Sequence, residues 1–92
     1  MKSIKLKNGK TFEIISCKYL DDKDEDLVIT MNNQTSKNIL KIFSNEDEVK
    51  EFTVCETGEK DITYTNYTEL SDIRISYDNK SKKTIHTVIM RN

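Results

Sequence analysis

The residue types that most often perform chemistry are few in this chain and far apart. Its one histidine, His86, stands between Ile85 and Val88 in an apolar segment, with no second histidine to share a metal ion. A catalytic site needs several converging groups, so we expect a structural or surface imidazole. Cys17 and Cys55 lie in no motif that lowers a thiol pKa, although proximity to the histidine in space stays open. We expect both thiols to be reduced and to serve as small buried apolar residues.

The most charged segment runs from Asp21 to Asp26 (DDKDED), and its alternate aspartates have the spacing that begins a calcium-binding loop. The sixth position of such a loop should be glycine and is Leu27, and the twelfth should be a bidentate glutamate and is Asn33. Several carboxylates this close repel one another and stay solvated. We therefore expect an exposed hairpin tip, with weak cation binding as the alternative.

Composition narrows the function classes further. The chain has 92 residues, of which 35% are hydrophobic and 34% charged, and its formal net charge is −1. A field that attracts nucleic acid needs an excess of Lys and Arg, so nucleic acid is not an expected partner. Two glycines cannot form a Gly-rich phosphate loop, and the acidic residues lie in turns where no acid and base pair can be assigned. We therefore predict a protein without cofactors, metal ions or enzymatic activity.

The opening MKSIKLKNGK has no apolar run of the kind that a secretory signal needs, and no apolar stretch of membrane-spanning length follows. We expect a cytosolic protein with no membrane partner. No repeat, linker or low-complexity block divides the chain, so residues 1–92 are predicted to form one small domain. The core of such a domain is thin, and oligomerisation is the expected aid to its stability.

The elements that position these residues are predicted to be strands for most of the chain. Ile4 and Leu6 alternate with lysines up to Asn8-Gly9, a strong β-hairpin signal. A two-residue turn would set Ile4 against Glu13, whereas a three-residue loop ending at Gly9 sets it against Phe12. Since opposed residues share a face of the sheet, we predict the three-residue loop, with Gly9 in the left-handed region as a bulge.

The second strand changes phase within a few residues. Phe12 and Ile14 have one parity, whereas Ile15, Cys17 and Tyr19 have the other. Such a slip predicts a bulge, or a strand that bends between two sheets.

A strand at residues 27–31 (LVITM) is followed by a change to helical period. With Thr35 or Ser36 as the N-cap, the pattern predicts one short helix across an end of the fold. Its predicted apolar side consists of Ile39, Leu40, Ile42 and Phe43. At most a short helical turn at 45–49 precedes a strand from Lys50 to Glu56.

The last third predicts strands near residues 61–67, 70–77 and 84–90. In the final strand, Ile85 and Ile89 lie on one face, whereas Val88 and Met90 lie on the other. A strand that is apolar on both faces is either central or at a subunit contact.

These elements together predict a mainly β fold, a small barrel or two-sheet sandwich of six to seven antiparallel strands with one short helix near residues 36–43. The final strand, together with tyrosines of the kind that often anchor interfaces, predicts a protein contact surface. Its expected members are Tyr64, Tyr67, Tyr77, Ile85, Val88 and Met90.

Three segments of this pattern resemble small all-β structural proteins of tailed phages and prophages of Gram-positive bacteria. They are IxLxNGKxFEI at residues 4–14, ILxIFSN at 39–45, and YTxLxxI at 67–73 followed by a TIxTV strand. The resemblance implies a virion component of the tail, baseplate or head-to-tail region that associates with itself or docks onto a larger assembly. The alternative is a small phage-encoded binding module that inhibits a host protein, and an enzyme is the least expected class.

Overall fold

The computed structural model describes residues 1–23 and 25–92, which form eight strands and two short helices. The strands are β1 (Lys2–Leu6), β2 (Thr11–Ile14), β3 (Ser16–Tyr19), β4 (Asp26–Met31), β5 (Glu51–Glu56), β6 (Ile62–Thr65), β7 (Glu69–Asp78) and β8 (Lys83–Arg91). The helices α1 (Ser36–Phe43) and α2 (Glu46–Val49) lie between β4 and β5.

The strands pair into two antiparallel sheets, β2-β1-β5-β6 (sheet A) and β3-β4-β8-β7 (sheet B). The prediction of a mainly β fold is confirmed. The predicted count of six to seven strands is wrong, and α2 stands where a short helical turn at 45–49 was expected beside the one predicted helix. The described strands form two sheets, as the sandwich alternative predicted, and not a closed barrel.

The first hairpin has the predicted bulged turn. Ile4 lies opposite Phe12, and Gly9 has a φ of 90°, which a residue with a side chain rarely adopts. The loop is closed by hydrogen bonds from Leu6 N to Lys10 O at 2.8 Å and from Gly9 N to Leu6 O at 3.0 Å. This register turns Ile4 and Leu6 toward the core, where both are buried.

The predicted phase change at Ile15 is the point where the chain passes from sheet A to sheet B. Ile14 ends β2 as a buried core residue, while Ile15 is 44% exposed and its backbone N donates to Thr30 O of β4 at 2.6 Å. Cys17, two residues later, packs against the same core. The strand count exceeds the prediction partly because this bend divides one predicted strand into two.

Helix α1 begins where the sequence predicted. Thr35 is its N-cap, since its side-chain oxygen accepts a hydrogen bond from Asn38 N at 3.2 Å. Ile39 and Phe43 are fully buried one turn apart, and the Phe43 ring meets that of Phe12 edge-on, with centroids 6.1 Å apart. Leu40 was predicted to lie on this side and is 50% exposed, because only a narrow stripe of so short a helix faces the sheets.

No helix in the described part of the chain is long and apolar enough to cross a membrane.

The final strand, β8, is central, because it pairs with β4 on one side and with β7 on the other. Val88 and Met90 are completely buried on its inner face, and Ile89 is 5% exposed on its outer face, between Val28 and Asp72. The chain thus covers most of both faces itself.

This position corrects the predicted contact surface. Four of its six members are buried inside the single chain, namely Tyr64, Tyr67, Val88 and Met90. Ile85 is half-buried on the outer face of sheet B, and Tyr77 is 58% exposed.

Truncation of Phe43 tests the packing of α1 against the sheets. Phe43→Ala should lower the free energy of unfolding by about 3–5 kcal/mol, because it removes a fully buried ring and leaves a cavity. Leu40→Ala, on the exposed side of the same helix, should change it by less than about 1 kcal/mol. Urea unfolding of the two variants measures both values, and equal losses would contradict the orientation of α1.

Candidate functional site

The acidic segment forms a solvated turn in its described part. Asp21, Asp22 and Glu25 are exposed, and the Asp21 carboxylate accepts a hydrogen bond from the backbone N of Lys23 at 2.9 Å. Asp26 belongs to β4 and accepts from Arg91 Nε at 3.0 Å. Asp24, the middle aspartate of the calcium-like spacing, lies outside the described residues. Within the described ranges, no group of three or more His, Cys, Asp and Glu side chains could hold a metal ion.

His86 connects sheet B to α1. Its side chain is 3% exposed, and its Nε2 shares a hydrogen bond of 2.9 Å with Ser36 Oγ. A serine and histidine pair could suggest a hydrolase, but a catalytic histidine needs a group on its other nitrogen to orient it. Here Nδ1 is buried and has no hydrogen-bond partner among the described residues. What the contact supplies is an attachment of β8 to the first turn of α1, whereas the sequence indicated Ser36 only as a possible N-cap.

Cys17 lies in a cleft at one end of the sandwich. The cleft has a volume of about 330 Å³, and its walls include Lys2, Val54, Ile62 and Tyr64. Burial raises the pKa of the Cys17 thiol to about 11, against the smaller opposing effects of a hydrogen bond with Tyr64 and the charge of Lys2. A thiol with this pKa is protonated at neutral pH and is a poor nucleophile.

Cys55 lies on the opposite side of sheet A from the core. It pairs with Ser3, beside the inward-facing Ile4 and Val54, so its side chain belongs to the outer face. Burial and the neighbouring carboxylate of Asp61 raise the pKa of this thiol as well. Neither cysteine is in a disulfide, and only Cys17 packs against the core as predicted.

Three tyrosines form an aromatic cluster where β3 meets the edge of sheet A. The ring centroids of Tyr64 and Tyr67 are 6.0 Å apart at 81°, and those of Tyr19 and Tyr64 are 5.9 Å apart at 76°. Edge-to-face geometry of this kind stabilises packed aromatic groups. Tyr64 and Tyr67 therefore close this part of the sandwich, which explains why they are not available as contact residues.

The distal end of the β7–β8 hairpin extends beyond the core. Ile75 is opposite the buried His86, and Tyr77 is opposite Thr84, so Ile75 and Tyr77 lie on the core-facing side of the sheet. They are nevertheless 60% and 58% exposed. We call Ile75, Tyr77 and Thr84 the overhang. Two large apolar side chains on the inner face of a sheet are thus left in solvent.

The free edge of β7 adjoins the overhang. This strand is ten residues long and bonds to β8 on one side, while no described strand pairs with its other side. Alternate backbone N–H and C=O groups along such an edge can accept a further strand. The predicted Tyr77 belongs to this surface, whereas Ile75 was missed although its alternation with Ile73 and Tyr77 was a signal for it.

Comparison of the chain with known protein families, curated proteins and solved structures finds no match. The candidate site therefore rests on its geometry alone, and the overhang with the β7 edge is the strongest candidate.

The environment of Cys17 predicts a loss of stability at alkaline pH. Its pKa is about 11 in the fold against 9.0 for the free thiol, so the unfolded chain loses this proton first as the pH rises. The contribution of the protonated Cys17 thiol to the free energy of unfolding is complete below pH 9 and declines toward pH 11, by about 2 kcal/mol for a shift of this size. Cys17→Ala should remove this part of the decline.

Urea unfolding at about pH 8 and at pH 11 gives the free energy of unfolding at each pH, and the difference between the two values is the alkaline decline. Cys55→Ala is the control and should retain the decline that depends on Cys17. The same decline in Cys17→Ala as in the parent chain would contradict the burial of this thiol.

Proposed function

We propose that this chain is a non-enzymatic structural or accessory protein of a tailed phage or prophage particle, and that it acts by associating with itself or by docking to a larger assembly. The observation that carries the proposal is the overhang, where Ile75 and Tyr77 are exposed on the inner face of sheet B. Apolar residues in that position are stabilised when another protein covers them.

The β7 edge supports the same proposal. A further strand can pair with its backbone while the side chains of the overhang supply an apolar contact beside it. Backbone pairing gives affinity and the side chains give specificity, which together suit a protein present in many copies in a symmetric particle. The sequence resemblance to phage structural proteins points to such a particle as the location.

The groups that could perform chemistry support an assembly role over an enzymatic one. The Ser36 and His86 side chains bond to each other across a buried contact, and burial keeps the Cys17 thiol protonated. Asp26 is paired with Arg91. The cleft beside Cys17 is also lined by Glu56, Glu59 and Lys60, and its Lys2 is paired with Glu56, with Nζ and Oε2 3.6 Å apart.

Substitution of Ile75 tests the overhang as the contact. In light scattering over a wide concentration range, the parent chain should show a mass above that of the monomer. Ile75→Lys should weaken the association by about tenfold or more, because a charge replaces an apolar side chain whose burial on association contributes about 1.5–3 kcal/mol. Ile62→Lys is the matched control, since Ile62 is 53% exposed on the other sheet, and it should associate as the parent chain does.

Mass spectrometry of purified phage particles tests the proposed location in the particle, and the protein should be among the particle components. Only monomer at every concentration, together with absence from particles, would contradict the proposal. Recovery of one stoichiometric host protein from a lysate instead would favour the inhibitor alternative.

A further inference from the structure

β7 is the one long free edge in the described part of the fold. The other edge strands, β2, β3 and β6, have four residues each, whereas β7 has ten. Edge strands are commonly protected from pairing by short length, proline, β-bulges or charged side chains, lysine above all. The chain has no proline, and β7 has no lysine. Its irregularity is a register shift between Leu70 and Asp72, which leaves the strand regular from Asp72 to Asp78.

The charges at the centre of this strand are self-complementary. Asp72 and Arg74 flank Ile73 and lie on the outer face, where they are 48% and 69% exposed by side chain. Their own contact, Arg74 Nε to Asp72 Oδ2 at 3.0 Å, joins two exposed groups on one strand. Exposed pairs of this kind contribute little to stability, so the two groups can exchange partners at low cost.

Antiparallel pairing of β7 with β7 of a second copy opposes Asp72 with Arg74 in one register. With a two-fold axis at Ile73, the two Ile73 side chains oppose each other, and Asp72 of each copy opposes Arg74 of the other. An axis at Arg74 would instead oppose two arginines, and an axis at Ile75 would oppose Asp72 with Asp78, and like charges directly opposite are destabilising. An axis at Ser76 would oppose Arg74 with Asp78, but it would pair only residues 74–78 of each strand. Asp78 also already accepts hydrogen bonds from Lys80 N and Ser81 Oγ in its own turn.

We infer that the partner of the β7 edge is a second copy of this chain, paired antiparallel about a two-fold axis at Ile73. The inference rests on the proposed self-association and specifies its contact. The two copies of sheet B form one continuous eight-stranded sheet, and Ile75 of each overhang lies diagonal to Ile73 of the other copy on the inner face. The contact is isologous and closes as a dimer, which can serve as the repeating unit of a larger assembly.

A charge exchange across the axis tests this register. In the dimer, Asp72→Arg places two arginines opposite each other at both symmetric positions, and Arg74→Asp places two aspartates opposite each other there. Each variant alone should raise the dimer dissociation constant by about tenfold or more, since two like-charge pairs replace two ion pairs. An equal mixture of the two variants restores both ion pairs, and so does the double variant D72R/R74D. Both should dimerise within about threefold of the parent chain, because each again opposes Asp with Arg.

Sedimentation analysis gives the dissociation constants, and native mass spectrometry separates the mixed dimer from the two homodimers. Glu13→Arg on β2 and Lys18→Asp on β3 are the controls, because they make the same charge changes on two other edge strands, and both should dimerise as the parent chain does. Urea unfolding of each variant confirms that it is folded.

The outcomes separate the register from the proposed function. If the parent chain associates but the single variants and their mixture behave like it, the register is wrong while self-association stands. A parent chain that stays monomeric at every concentration overturns the self-association on which the register depends. Mixed dimers as the dominant species in the mixture, with little homodimer of either variant, establish the pairing about Ile73.

Discussion

Both sheets depend on the point where the chain leaves sheet A and enters sheet B, at Ile15. Ile14 must lie in the core as the last residue of β2, and Cys17 must lie against the same core from β3. A continuous strand would turn one of these side chains outward, because alternate residues face opposite sides. The exposed Ile15, held by its hydrogen bond to Thr30 O, removes this conflict by adding one residue at the corner. The apolar faces of the two sheets can then be buried against each other.

The local parts of this arrangement could be predicted from the sequence, because their causes are local. Asn8-Gly9 determines its turn through the φ that glycine permits, and the apolar parity on either side determines the loop length. Thr35 caps α1 through a hydrogen bond to a backbone group three residues ahead. The phase change at Ile15 was visible because two apolar runs of opposite parity adjoin. In each case, a few neighbouring residues contain the whole physical argument.

The candidate site could be predicted only in part, since parity gives the face of a residue but not the position of its strand in the sheet. Val88 and Tyr77 both alternate within apolar strands, yet one belongs to a central strand and is buried, while the other belongs to an edge and is exposed. The contact of Ser36 with His86 joins residues 50 positions apart, and no local pattern indicates it. Leu40 has helical spacing, but its exposure depends on how α1 meets the sheets.

The uneven protection of the sheet edges links the stability of this chain to its proposed association. A domain of 92 residues buries a limited core, and the overhang leaves Ile75 and Tyr77 outside it. If the hairpin served only to complete the sheet, β7 could end near Ile73, where its partner Val88 is already buried. Residues 74–85 instead extend the sheet with apolar groups that the described chain does not cover, at a cost in exposed apolar area. That cost would be offset if a second protein covered the inner face and paired with the edge at the same time, and the extension therefore supports the proposed contact.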